Sequence, residues 1–102
     1  MRVVAIVTEL MDRSRITGAV PGTELARDAA AAAGADVVIV DLGRFGDDVA
    51  TVRMAAPTAR IVAYGSHVDE SALARARADG ADVVLPRSRF FRDPAAAVET
   101  TD

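Results

Sequence analysis

Four runs of consecutive apolar residues punctuate the chain: Val3–Val7, Val37–Val40, Ile61–Tyr64 and Val83–Leu85. They are continuous rather than alternating and rich in β-branched side chains, the pattern of strands covered on both faces, as in a parallel sheet. Between them lie Ala- and Arg-rich stretches of helical character. Asp69 is placed to cap a helix with Ala72, Leu73 and Ala76 on one face and Arg75, Arg77 and Asp79 toward water. Val68 and Leu73 stand in staple positions around that cap. Shorter helices are predicted over Asp47–Met54, ended by Pro57, and from Asp93-Pro94 onward, where Pro suits an early helical position. Strand–helix alternation of this kind predicts an α/β domain with right-handed crossovers.

The clearest local signal is a repeated pentapeptide. Gly34-Ala35-Asp36-Val37-Val38 returns as Gly80-Ala81-Asp82-Val83-Val84, each time after an Ala-rich stretch and at the start of an apolar run. Gly can end a helix in the left-handed conformation without a Cβ clash. Asp then occupies the short loop and the valines open the strand. Two copies are helix-to-strand punctuation rather than a solenoid repeat. Residues 11–33 admit two readings, divided by the Pro21-Gly22 turn signal. One has a short helix at Met11–Val20, an edge strand at Glu24–Ala26 and a short helix at Ala29–Ala33. The other has a single helix from Thr23 to Ala33. The first gives five strands, the second four; the first is preferred because it leaves no long structureless loop.

Composition narrows the picture. A chain of 102 residues fits one domain, residues 1–102. Half of it is apolar, but much of that is Ala, so Val, Ile and Leu must build the core. The net charge of −3, with both signs mixed along the chain, offers no long-range attraction to a phosphate backbone, so no nucleic-acid partner is expected. The absence of Cys excludes disulfides, thiolate metal sites and a Cys nucleophile, and fits a cytoplasmic location. The Val3–Val7 run is too short for a signal peptide or a spanning helix, and no membrane partner is expected. No Gly-rich phosphate loop and no His–carboxylate metal spacing is present.

Parsed this way, nearly the whole chain resembles a response-regulator receiver domain. Arg60-Ile61-Val62-Ala63-Tyr64-Gly65-Ser66-His67 resembles the fourth receiver strand and its switch end. Gly80 through Ser88 resembles the Gly-Ala, apolar strand and Lys-Pro stretch, and Val37–Asp41-Leu42 resembles the third strand with its phospho-accepting Asp-Leu. The resemblance implies a flavodoxin-like, receiver-type parallel sheet in order 2-1-3-4-5, with helices on both faces and a shortened N-terminal half. Sites in such sheets form where strand order reverses. One rim would then gather Thr8, Glu9, Asp41, Ser66, His67, Arg87 and Ser88.

The resemblance assigns Asp41 as candidate phospho-acceptor and Glu9 with Asp41 as the Mg²⁺ ligands, the only cofactor it implies. The pocket departs from the family pattern at several places. Thr8 replaces the first acid of the acidic pair, which weakens Mg²⁺ binding. Gly65 stands where the family has Thr or Ser, with Ser66 one residue later. Arg87 replaces Lys, and Ser88 the following Pro; a planar guanidinium is no equivalent of an ammonium. Asp41-Leu42-Gly43-Arg44 lacks the Met-Pro turn. Arg87 is expected to sit over Asp41 as a structural ion pair, and His67 to be an exposed or capping residue.

The expected function is therefore a non-enzymatic, receiver-like signalling or interaction module that works through an unidentified signalling protein. The alternatives are a genuine phospho-accepting regulator using Asp41 with Mg²⁺, and a small-anion or ligand sensor at the same rim. Arg89-Phe90-Phe91-Arg92 is read as an interface: two adjacent Phe are taken as unable to face one core, and Arg and Phe are common hot-spot residues. A homodimer around the strand-4/strand-5 face, with the Phe pair inside, is expected.

Overall fold

A computed structural model of the chain describes residues 1–99, three short of the expected domain end. Five parallel strands form one sheet: β1 (Val3–Ile6), β2 (Glu24–Ala26), β3 (Val37–Asp41), β4 (Arg60–Gly65) and β5 (Val83–Pro86), in the order β2-β1-β3-β4-β5. The helices are α1 (Leu10–Ala19), α2 (Leu42–Phe45), α3 (Val49–Ala55), α4 (Glu70–Ala78), α5 (Arg87–Arg92) and α6 (Pro94–Val98), with 3-10 turns at Ala29–Ala32 and Gly46–Asp48. The five-strand reading of residues 11–33 is the one observed.

The continuous apolar runs have the cause inferred for them. Alternate side chains of β1, β3 and β4 enter two separate cores. Val4, Ile6, Val38, Val40, Ile61 and Ala63 pack under the Ala29–Ala32 turn, α2, α3 and α4. Val3, Ala5, Val37, Ile39, Val62 and Tyr64 pack under α1, α5 and α6 with Ile16, Phe90 and Val98. A strand buried on both faces has no polar position to alternate with.

The two copies of the pentapeptide do the same work. Asp36 N–H donates to the Arg2 carbonyl at 2.9 Å, and Arg2 N–H donates back to Asp36 Oδ2 at 2.7 Å. Asp82 N–H donates to the Ile61 carbonyl at 2.9 Å, and Ile61 N–H donates back to Asp82 Oδ2 at 2.8 Å. Each pair lies one residue before a register pair, Val3↔Val37 and Val62↔Val83. The carboxylate thus satisfies a backbone donor at the start of the neighbouring strand, where the ladder has not begun. Each copy also carries an Arg against its Gly: Arg2 Nη1 donates to the Ala33 carbonyl at 2.7 Å, and Arg53 Nη2 to the Gly80 carbonyl at 2.8 Å.

One local expectation is corrected, one is adjusted at its boundaries, and two short helices are added. Asp69 caps α4, its Oδ1 accepting from Ala72 N–H at 3.2 Å, but Val68 is 76% exposed and forms no staple with Leu73. The helix expected over Asp47–Met54 is present as α3 (Val49–Ala55), entered through a 3-10 turn at Gly46–Asp48, and a further short helix, α2, capped by Asp41, precedes it. Arg87–Arg92 is helical directly after β5, although Pro86 offers no side-chain cap to announce it.

Gly34 (φ +79°) and Gly80 (φ +116°) both hold conformations that disfavour a Cβ. A Cβ at Gly34 would meet only the Arg2 guanidinium at 3.3 Å, which can swing away, whereas at Gly80 it would meet the Arg53 stem carbons at 3.1 and 3.2 Å. Gly34→Ala is expected to cost about 1–2 kcal/mol, and Gly80→Ala more, toward roughly 3 kcal/mol. Chemical denaturation of the two variants checks the order; equal losses would contradict it.

Candidate functional site

The carboxyl ends of β1 and β3 place Thr8, Glu9 and Asp41 on one open depression, as the strand order requires, and Arg44 and Asp48 line it with them. Asp41 ends β3 and caps α2: its Oδ1 accepts from Gly43 N–H at 3.0 Å. It is half-buried, and that burial holds its carboxyl above the usual range; the Gly43 N–H and, more weakly, the Arg87 charge work the other way, and the charges of Asp12 and Glu9 add to the rise. Glu9 caps α1 with both oxygens, accepting from Met11 N–H at 3.2 Å and Asp12 N–H at 2.9 Å.

Arg87 does not sit over Asp41. Its Nη1 and Nη2 donate to the two carboxylate oxygens of Asp12, each at 2.7 Å. Asp12, on α1, is only 2% exposed, and its Oδ2 also accepts from the Tyr64 hydroxyl at 2.9 Å. The physical reason is burial. A carboxylate this deep must be paired, and a planar guanidinium satisfies both oxygens at once, where half-buried Asp41 already has a backbone donor. Accordingly the Asp12 carboxyl is held below its usual range, first by the Arg87 hydrogen bonds, while the Arg87 guanidinium is raised by the same contact. Tyr64 is pushed up, chiefly by burial. Arg87 further lies over the Tyr64 and Phe91 rings at 5.4 and 5.1 Å from their centroids.

Asp12 is the residue of this cluster that sequence reasoning missed. Its signal was its spacing: it lies four residues before Ile16, which is fully buried in the sheet-facing core, so an acid sits on the buried stripe of α1.

The other expected residues are placed as follows. Ser66 and His67 are exposed in the loop after β4 and do not line the depression; Ser66 Oγ accepts a long contact of 3.4 Å from Val68 N–H. Ser88 is exposed in the first turn of α5. Gly65 cannot simply be read as a lost hydroxyl, because a Cβ there would meet Leu42 Cβ at 3.2 Å, and Leu42 would have to give by a few tenths of an ångström to admit a side chain. Phe90 and Phe91 do share one core. Adjacent residues on a helix differ by about 100°, and the Tyr64 ring is broad enough to meet both, stacking on Phe90 at 4.7 Å and edge-on to Phe91 at 5.0 Å. Phe90 is fully buried and offers no surface to a partner; Phe91 is partly buried, and Arg89 and Arg92 are exposed.

Mg²⁺ demands a near-octahedral set of hard oxygens. Here Thr8 is neutral, both Glu9 oxygens hold backbone donors, and both Asp12 oxygens hold Arg87. Among the described residues no three His, Cys, Asp or Glu side chains are grouped to hold a metal ion. The residues present do not fit the Mg²⁺ site that Glu9 and Asp41 were expected to form.

The Asp12–Arg87 pair is asymmetric, since the Arg87 side chain is 44% exposed and Asp12 is 2% exposed. Arg87→Ala strands a buried charge and is expected to cost about 3–5 kcal/mol. Asp12→Ala leaves Arg87 free to reach water and chiefly orphans the Tyr64 hydroxyl, about 1–3 kcal/mol. In the native chain the depressed Asp12 pKa contributes stability above its unfolded value of about 3.9, lost as pH falls through the folded value. In Arg87→Ala the buried, unpaired acid has a raised pKa, so its contribution reverses and lowering the pH relieves the loss. Urea denaturation from pH 7 down to about pH 2 reads both effects, the native loss lying below the unfolded value of about 3.9; a larger loss in Asp12→Ala than in Arg87→Ala at pH 7 would contradict the arrangement.

No protein-family model and no curated protein matches the sequence. Solved structures do match in shape. A response regulator from Burkholderia pseudomallei, solved with a phosphorylated aspartic acid, calcium ion and citrate, is 21% identical with a TM-score of 0.71, over 96% of this chain and 65% of that one. This chain thus spans slightly under two thirds of that protein's length. HP1043, an orphan response regulator of H. pylori, is 14% identical with a TM-score of 0.72 over 97% of both chains. The isolated REC domain of RcsB from Salmonella enterica, in the apo form, gives 14% and 0.72 over 95% of this chain and 84% of that one. Identities this low speak to architecture: the chain has the flavodoxin-like fold of response-regulator receiver domains.

Proposed function

We propose that this chain is a receiver-like signalling module that works by protein interaction and does not take a phosphoryl group on Asp41. The observation that carries the reading is the double contact of Arg87 with Asp12. In a phospho-accepting pocket, a cation has to meet the oxygens of the incoming group, because three carboxylates already surround the depression: Glu9, Asp41 and Asp48. Moving Arg87 there would leave Asp12 buried and unpaired, at a cost of about 3–5 kcal/mol, or roughly 10²- to 10⁴-fold in population. Arg44 is then the cation left on the depression. The crowding by Leu42 of the place a side chain at position 65 would occupy, and the neutral Thr8, support the same reading.

The alternative, a phospho-accepting regulator using Asp41 and Mg²⁺, is favoured by one observation: Asp41 stands at the strand end of an open depression beside Glu9. A sensor of small anions at this rim finds less support, because Ser66, His67 and Arg87 do not line it. The homodimer around Phe90 and Phe91 is not part of the proposal, since Phe90 gives it no surface.

Acetyl phosphate with Mg²⁺ distinguishes the first two. Attack by an Asp41 oxygen on phosphorus would release acetate and leave an acyl phosphate that intact-mass spectrometry detects. No adduct is expected at Asp41. Stoichiometric labelling, abolished in Asp41→Asn, would establish the alternative.

A further inference from the structure

The six-residue α5 and five-residue α6 are too short to roof β5, an edge strand of the sheet. Beside this strand they leave a depression of about 310 Å³, lined by Val83 and Leu85 with Arg60, Arg89 and Arg92 around them. Arg60 begins β4, and Arg89 and Arg92, three residues apart on α5, share one helix face. None of the three is in an ion pair among the described residues; Arg13, Arg15, Arg27, Arg44 and Arg77 are likewise unpaired, but Arg60, Arg89 and Arg92 share one depression. Asp93 is the one acid on the depression, and its Oδ1 is occupied by Ala96 N–H at 3.1 Å. Arg60 is the least settled of the three: its Nε is buried without an acceptor, and its Nη2 reaches only the Ala97 carbonyl at 3.4 Å.

We propose that this groove docks an acidic peptide segment of a partner protein, its carboxylates meeting Arg60, Arg89 and Arg92 and an intervening apolar side chain resting on Val83 and Leu85. In a chain of net charge −3, a cluster of three unpaired guanidiniums marks a local preference for anions. Guanidiniums bind carboxylate and phosphate alike through paired donors. The apolar lining decides between them, because inorganic phosphate would leave Val83 and Leu85 facing water while a peptide covers them. A second copy of this chain is a poorer occupant, since like arginine clusters would oppose each other across a two-fold axis. The groove shares no lining residue with the Asp41 depression, so the proposal does not depend on the chemistry of Asp41.

A labelled synthetic peptide of alternating glutamate and leucine is the probe, followed by fluorescence anisotropy and by backbone amide shifts of the ¹⁵N-labelled chain. Saturable binding is expected, with shifts centred on Val83, Leu85 and Ala97. It should weaken about tenfold in the double variant Arg89→Glu/Arg92→Glu and as salt rises, while Arg27→Glu, an exposed arginine outside the groove, has no effect. Because Arg89 and Arg92 are exposed, an unchanged thermal midpoint accompanies the expected loss. Absence of binding, binding indifferent to the double variant, or the same shifts from inorganic phosphate would overturn the proposal. So would self-association in sedimentation that the double variant abolishes, which would make the occupant a second copy.

Discussion

A carboxylate with almost no access to water governs the carboxyl side of this sheet. Asp12 is buried under α1, and an ionised acid there is tolerable only if both oxygens are satisfied. Arg87 supplies the two donors and Tyr64 a third. That pairing ties α1 to the start of α5 and to β4, elements far apart in the chain. It also sets the aromatic packing, since Arg87 lies over Tyr64 and Phe91 while Phe90 stacks beneath. The same contact removes from the Asp41 depression the one basic side chain that the end of β5 could deliver.

The amino-terminal side is held by a simpler device used twice. Asp36 and Asp82 each exchange two hydrogen bonds with the residue preceding a neighbouring register pair. The repeat in the sequence is therefore a repeat of function within the fold, one copy for the β1–β3 junction and one for β4–β5. This half of the structure was legible because every requirement in it is local. Gly turns, Asp caps and continuous apolar runs each demand a residue type at a fixed offset, and together they gave four strands and two junctions. The edge strand Glu24–Ala26 was weaker, since only one partner holds it, and it was found by the need to divide a long segment.

The site was less legible because its key interaction joins residues 75 positions apart. Periodicity shows which face of α1 is buried but not what a buried acid pairs with. Arg87 was therefore assigned to the nearest carboxylate at the rim, Asp41, whereas desolvation rather than proximity decides the partner. The Phe pair was misread for a related reason. Without a helix over Arg87–Arg92, adjacent side chains point apart, while on a helix both can flank one large ring. What the resemblance supplied was the arrangement of strand ends, and Thr8, Glu9 and Asp41 do meet there.

The account turns on which carboxylate Arg87 holds, and the two acids report it through their titration. Carboxyl ¹³C NMR of the native chain, followed from neutral to acidic pH, reads both directly. Asp12 is predicted to titrate below the ordinary aspartate value of about 3.9 and Asp41 above it. Asp41 titrating below that value, with Asp12 at or above it, would place Arg87 on Asp41 and contradict the account.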